Sequence, residues 1–427
     1  MMTDDKLFAE WTYHIQESAI RKLLKYQVKY YFGGGLPGAL PLEVHSKILI
    51  ELGQRYQKLL SEGKVDEVLT VFNYGPTAGD AELKQILMQR LVERQHLPFN
   101  PETDWDKIMI TTGSQEAIYT VLDSMINPGD VVLVPSPGYL GFVGVSDKMG
   151  ARTVGIPTDE EGLIIDAVRA GIEASKKQYG NYPKLVYVVA TSDNPKGSTM
   201  GDKRRKELFD LVSEYGIYLI EDDAYKEIQF GKLFEPIKKF DKENERVIYF
   251  ATTSKEAGVF RLGYSLMPDP VKEQVEKSKG YIDLCTPTLI QKIAAEYYKG
   301  PIDVYLKEAI EVYKRRKELM YKLISETFPA GTFTNPTGGF FIWWESEKPD
   351  FDSTKFNYEV AIPNEVLFVQ GEAFYAPRGY HLNDDLTEIV PMSPKKNGMR
   401  LSYSKVPESI IEEGIPLLGK LLKQELE

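Results

Sequence analysis

The sequence predicts an α/β protein, with a three-layer large domain on a mostly parallel sheet and a smaller α+β domain beside it. Short apolar runs recur as strand candidates at 131–135 (VVLVP), 185–190 (LVYVVA), 217–222 (IYLIED) and 247–252 (VIYFAT). Amphipathic helical segments lie between them, and near-continuous apolar strands alternating with helices indicate a parallel sheet covered on both faces. Past about residue 300 the texture changes to charged helix, aromatic strand and polar insert.

The elements justify this in order. The first 45 residues read as irregular, with a Gly/Pro cluster at 33–41 (GGGLPGALP). Residues 115–126 place Ile118, Val121, Leu122 and Met125 at helical spacing. KELFDLVSEYG sets Leu208, Phe209, Leu211, Val212 and Tyr215 on one helical face, closed by Gly216. The α/β region runs from about 60 to 290. A charged helix at 305–328 then leads to FFIWWE at 340–345, a Pro/Asp/Lys-rich insert at 376–397 and a final amphipathic helix at about 407–425. The expected division is a large domain at 46–295 and a small domain from 1–45 and 296–427.

Composition narrows the function. Fifty-two Lys+Arg against 63 Asp+Glu give −11, which disfavours a broad nucleic-acid-binding face. The lone cysteine, Cys285, forms no internal disulfide and suits a reducing compartment. The acidic N-terminus has no apolar core typical of a secretory signal, and no uncharged apolar run reaches the roughly 18 residues of a membrane span. The expected location is cytoplasmic.

The strand ends carry the chemistry, because α/β sheets bind ligands beyond the carboxyl ends of their strands. Asn194 lies in SDNPKG, Asp222 and Tyr225 in EDDAY, Lys255 in TTSKE and Tyr139 in PSPGY. TTGSQEA at 111–117 opens a helix after a glycine, which offers backbone N–H groups to an anion. A lysine, a carboxylate, a phenol, an amide, an aromatic face and a phosphate cradle are the inventory that pyridoxal 5'-phosphate requires.

From ESAIRKLL to GMRLSYS, the chain resembles the fold-type I, class I/II pyridoxal-phosphate aminotransferases, and most of all their 2-aminoadipate/kynurenine/aromatic group. The resemblance implies that Lys255 is the Schiff-base lysine and proton shuttle, with Asp222 at the pyridine nitrogen. Tyr225 and Asn194 would meet the ring hydroxyl, and Tyr139 would stack on the ring. Gly113, Ser114, Gln115, Thr252 and Arg261 would hold the phosphate, with Tyr74 reaching it from the partner subunit of a homodimer. Arg400 would clamp the substrate α-carboxylate, a bidentate task suited to guanidinium. Gly35 would line the substrate pocket, and Arg21 would meet a distal substrate carboxylate. The family pattern is departed from at Arg261, six residues after Lys255 where the gap is usually slightly longer, at Ala190 in place of a proline, and in NPKG.

The implied reaction moves an amino group from an acidic or aromatic L-amino acid to a 2-oxo acid, 2-oxoglutarate being the expected acceptor. A β-lyase, decarboxylase or oxidase on the same scaffold is the alternative. Gly33, Gly35 and Gly38 spell G-x-G-x-x-G, but Pro37 and Pro41 interrupt it and no helix opens there, so no dinucleotide is expected. NPTGG at 335–339 reads as a turn before the FFIWW strand. His14, His45, His96 and His381 are scattered without ligand spacing, so no metal is expected.

Overall fold

The computed structural model describes residues 7–13, 15, 17–38, 41–258 and 260–426; His14 lies outside them. Across the large sheet the strands run Ile389–Pro391, Tyr380–Leu382, Arg152–Asp159, Val131–Ser136, Leu185–Val188, Tyr218–Asp222, Val247–Thr252, Gly263–Leu266 and Ile108–Thr111. Pairing is parallel from Tyr380–Leu382 to Val247–Thr252 and antiparallel at both margins.

Alternation along the strands supplies two buried faces. Leu133, Val154, Val186 and Leu219 pack against Val168, Ile172, Leu208 and Leu211, from helices Ile165–Tyr179 and Asp202–Glu214. Val132, Val134, Ile220 and Phe250 pack against Ile118, Val121, Val271 and Val275, from helices Ser114–Met125 and Asp269–Ile282. Each such aliphatic side chain contributes on the order of 1.5–3 kcal/mol through burial.

Val131–Ser136 lies between Arg152–Asp159, which follows it in sequence, and Leu185–Val188, from which the chain proceeds the other way. Strand order therefore reverses between Val131–Ser136 and Leu185–Val188, which opens a crevice at their carboxyl ends.

A second, antiparallel sheet orders Gly331–Phe333, Phe341–Ser346, Gly398–Ser402 and Val369–Gln370. Arg400 stands opposite both Trp343 and Val369 in its register. Helices Pro301–Thr327 and Glu408–Leu426 pack together on this side of the molecule.

Two expectations are corrected. The 376–397 insert, read as part of the small domain, supplies Tyr380–Leu382 and Ile389–Pro391 to the large sheet, where Tyr380 pairs with Val154. Cross-strand pairing sets its place despite its polar composition. The first 45 residues, read as irregular, hold helix Ala19–Leu23 and strand Tyr30–Tyr31, which pairs with Val366–Leu367. Helix Leu42–Ser61 also begins before residue 46. Elements of five and two residues are too short to display a period and form through tertiary contacts. Among the described residues, no helix is long and apolar enough to cross a membrane.

Candidate active site

A cleft of about 1380 Å³ opens at the carboxyl ends of the parallel strands, and the small sheet forms its far wall. Asp222 is the last residue of its strand and pairs with Phe250, while Lys255 follows Thr252 by three residues in a tight turn. Asn194 and Tyr139 come from the two loops that flank the reversal in strand order. The structure thus brings Asn194, Asp222, Tyr225, Lys255, Tyr139, Thr252, Arg261, Ser114, Gln115, Gly35, Arg21 and Arg400 to one cleft.

Lys255 Nζ donates to the Gly35 carbonyl at 2.8 Å and stands 5.6 Å from the Tyr225 ring centre. Burial, with the nearby Arg400 and Arg261 charges, lowers its ammonium from 10.5 to about 8 against the opposing pull of Asp222. A lysine so perturbed holds a usable fraction of free amine near neutral pH.

Asp222 accepts from the Tyr187 hydroxyl at 3.0 Å through Oδ2, while Oδ1 is buried with no partner. Burial raises its carboxyl to about 7. Burial likewise pushes the Tyr225 phenol well up, so it stays a neutral donor. Tyr225 is held edge-on against Phe340 and Phe341.

Arg400, 1% exposed, donates to Asn194 Oδ1 at 2.8 Å and to the Gly33 carbonyl at 3.1 Å. Its guanidinium lies 4.0 Å over the Phe341 ring. Burial lowers it to about 10, so it remains a cation at neutral pH.

Opposite lies an anion cradle. Gly113 caps helix Ser114–Met125 at φ 77°, a conformation natural to glycine, and the first helical amides have no intrahelical carbonyl to bond. Arg261, at φ 49°, donates to Ser254 Oγ at 2.8 Å. Its Nη2 stands 3.2 Å from where a Gly113 Cβ would be. Thr253 N donates to Leu262 O, which closes the loop after Lys255, so the short spacing still returns Arg261 to the cradle. Tyr139 donates to Gln115 Oε1 at 3.0 Å, and Thr252 Oγ1 caps the Ser254 amide at 3.1 Å.

Of the expected phosphate contacts, Gly113 and Tyr74 do not line this cleft: Gly113 caps the cradle helix, and Tyr74 is 79% exposed on its own chain. Arg21 is exposed at the cleft mouth. Two participants were not anticipated. Ser254 joins the cradle, and its signal was a hydroxyl directly before Lys255. Tyr187 anchors Asp222, and its signal was one phenol in an aliphatic strand. No group of acidic, histidine or cysteine side chains suits a metal among the described residues.

These residues fit pyridoxal 5'-phosphate. The orphaned Asp222 Oδ1 offers an acceptor for a protonated ring nitrogen, the Ser114–Gln115 amides and Arg261 offer phosphate donors, and Lys255 offers the amine.

Comparison with known proteins agrees. The family model for aminotransferase class I and II matches residues 49–381. An aromatic-amino-acid aminotransferase from Thermococcus litoralis is 34% identical over 99% of this chain and 95% of its own. A 2-aminoadipate transaminase from Thermus thermophilus is 29% identical, covering 97% and 96%. The crystal structure of Pyrococcus horikoshii kynurenine aminotransferase, complexed with PMP, superposes with a TM-score of 0.86 at 33% identity over 99% of this chain and 98% of that one. With these side chains gathered at the sheet's reversal point, the chain belongs to the class I and II aminotransferases, enzymes dependent on pyridoxal phosphate.

Proposed function

We propose that the chain moves the α-amino group of an acidic or aromatic L-amino acid to a 2-oxo acid, with 2-oxoglutarate the principal acceptor. The carrying observation is that Arg400 and Lys255 converge on one glycine loop, Arg400 on the Gly33 carbonyl and Lys255 on that of Gly35. A carboxylate anchor thereby stands beside an amine of lowered basicity, the pairing needed to remove a proton α to a carboxylate.

Arg400 takes the α-carboxylate bidentately, and Asn194 holds the guanidinium in place. The Lys255 amine accepts the α-proton at Nζ and later returns it. Tyr225 and Asn194 would donate to the ring hydroxyl of bound pyridoxal phosphate, and Tyr187 holds Asp222 with Oδ1 free to meet its ring nitrogen. Pyridoxal phosphate, held by Ser114, Gln115, Thr252, Ser254 and Arg261, supplies the electron sink for the carbanion. At the mouth, Arg21 offers a cation to a distal carboxylate, while Ile20, Leu36 and Leu140 offer apolar wall to an aromatic side chain.

The working unit is a homodimer with shared sites. Exposed Leu69, Phe72 and Tyr74 adjoin exposed Tyr281, Ile282 and Leu284, and Gly75 N donates to Cys285 Sγ at 3.4 Å between the two stretches. An apolar patch of this kind suits a subunit interface. A cytoplasmic location accompanies this reading, on the lone cysteine.

Amino donors screened against 2-oxoglutarate test the proposal, with Arg21→Ala alongside. Donors should shift the absorbance band of the coloured protein, and turnover should require the oxo acid; ammonia release without it identifies a lyase instead. A colourless protein that takes up no added pyridoxal phosphate overturns the reading. Selective loss of acidic donors in Arg21→Ala assigns that residue, and unchanged preference removes it.

A further inference from the structure

Directly after Tyr225 comes Lys226, and directly after Lys255 comes Glu256. These two side chains form an ion pair behind the catalytic residues, Lys226 3% and Glu256 1% exposed. Neither faces the cleft. Glu256 also accepts from the Tyr298 hydroxyl, and its backbone carbonyl accepts from Tyr297 at 3.2 Å, both from helix Thr288–Tyr298. Lys226 lies 5.7 Å over the Tyr264 ring.

The next residue extends the network. Glu227, 5% exposed, binds Arg94 Nη2 at 2.8 Å and lies 3.8 Å from Arg90. Arg90 meets Asp303 at 2.9 Å, at the start of helix Pro301–Thr327, and stacks 5.6 Å over Tyr298. The ring of contacts therefore closes back on Glu256's partner.

Burying charges so completely is costly, and a well-packed apolar pair often stabilises a fold as well or better. An apolar pair, however, tolerates sliding, whereas an ion pair with directional bonds fixes one register. Here the register concerns the turn carrying Lys255 and the turn carrying Tyr225.

We propose that Lys226 and Glu256 are positioning residues that hold the Lys255 amine and the Tyr225 phenol at the separation the bound cofactor requires. This rests on the aminotransferase reading of the same site.

The test uses the full-length holoenzyme and a Lys226→Met/Glu256→Met double variant, which leaves no lone charge in the core. Thermal unfolding, kcat and KM separately, and spectral titration of the apoprotein with pyridoxal phosphate are measured. The expected result is an unfolding midpoint close to wild type, kcat lower by about tenfold or more, KM changed less, and weaker cofactor affinity, because small misplacements of reacting groups reduce rate steeply. A folded double variant with wild-type kcat and cofactor affinity overturns the proposal.

If that variant does not fold, Tyr298→Phe serves, since it removes one bond to Glu256 and strands no charge. Reduced kcat and cofactor affinity at an unchanged midpoint support positioning; wild-type values oppose it. Wild-type protein without a cofactor band or transamination instead refutes the underlying functional reading.

Discussion

Arg400 Nη1 donates to Asn194 Oδ1 at 2.8 Å, so one bond ties the small antiparallel sheet to the carboxyl ends of the parallel strands. Its other amino group holds the Gly33 carbonyl. The guanidinium therefore connects three segments far apart in sequence as well as lining the cleft.

Arg400→Lys should raise KM for both amino acid and oxo acid, because an ammonium cannot serve Asn194 and a carboxylate bidentately. Loss of about one charge-assisted hydrogen bond predicts kcat/KM lower by roughly 10- to 100-fold. Steady-state kinetics with each substrate varied would read this, and a variant that changes only the unfolding temperature contradicts it.

Asp222→Asn should separate stability from activity. In the apoprotein the folded carboxyl titrates at about 7, against an ordinary 3.8. Folded protein thus binds more protons than unfolded protein between those values, and stability falls as pH rises through that window. The penalty is fully present above pH 7 and vanishes near pH 4. The apo Asp222→Asn variant should therefore melt higher than wild type above pH 7, with the gap closing toward pH 4. Its kcat should fall by roughly 10²–10³, the scale for removing a preorganised electrostatic partner. Parallel melting curves across pH would refute the assignment.

Gly263→Ala should damage the cradle from beneath. A Cβ there would come within 2.5 Å of both Gly113 C and Ser114 N, which are backbone atoms unable to rotate away. Destabilisation of about 1–3 kcal/mol is expected from such overpacking. Affinity for pyridoxal phosphate should weaken as the Ser114 amide moves, measured by titrating the apoprotein. Unchanged affinity would mean that the cradle relaxes freely.

Tyr74 lends itself to subunit mixing. Tyr74→Ala and Lys255→Ala should each be impaired as pure proteins. If Tyr74 serves the neighbouring site, each mixed dimer rebuilds one complete site, and random exchange restores about a quarter of wild-type activity. Mixtures no better than their parents would confine Tyr74 to its own chain.

Asn194, Asp222, Tyr225 and Lys255 were legible because each stands at or just beyond the carboxyl end of an apolar strand, where ligands gather. Arg400 was not readable that way; its strand, GMRLS, mixes polar and apolar residues, and only family resemblance marked it. The edge strands at 380–391 escaped because their polar residues carry no alternation and form by pairing with Val154. Nothing in the sequence singles out Lys226 or Glu256. Only the folded chain reveals that they meet, 30 residues apart, in the interior.

The glycine loop sets a condition on entry. Gly33 and Gly35 carbonyls hold Arg400 and Lys255, neutral dipoles standing where the proposed function seats a carboxylate. A carboxylate that displaces them exchanges a dipole for a charge and gains by the exchange. An amine without a carboxylate has no such exchange to make at Arg400. On the proposed reading, selection for a carboxylate is thus written partly into the backbone of the glycine loop.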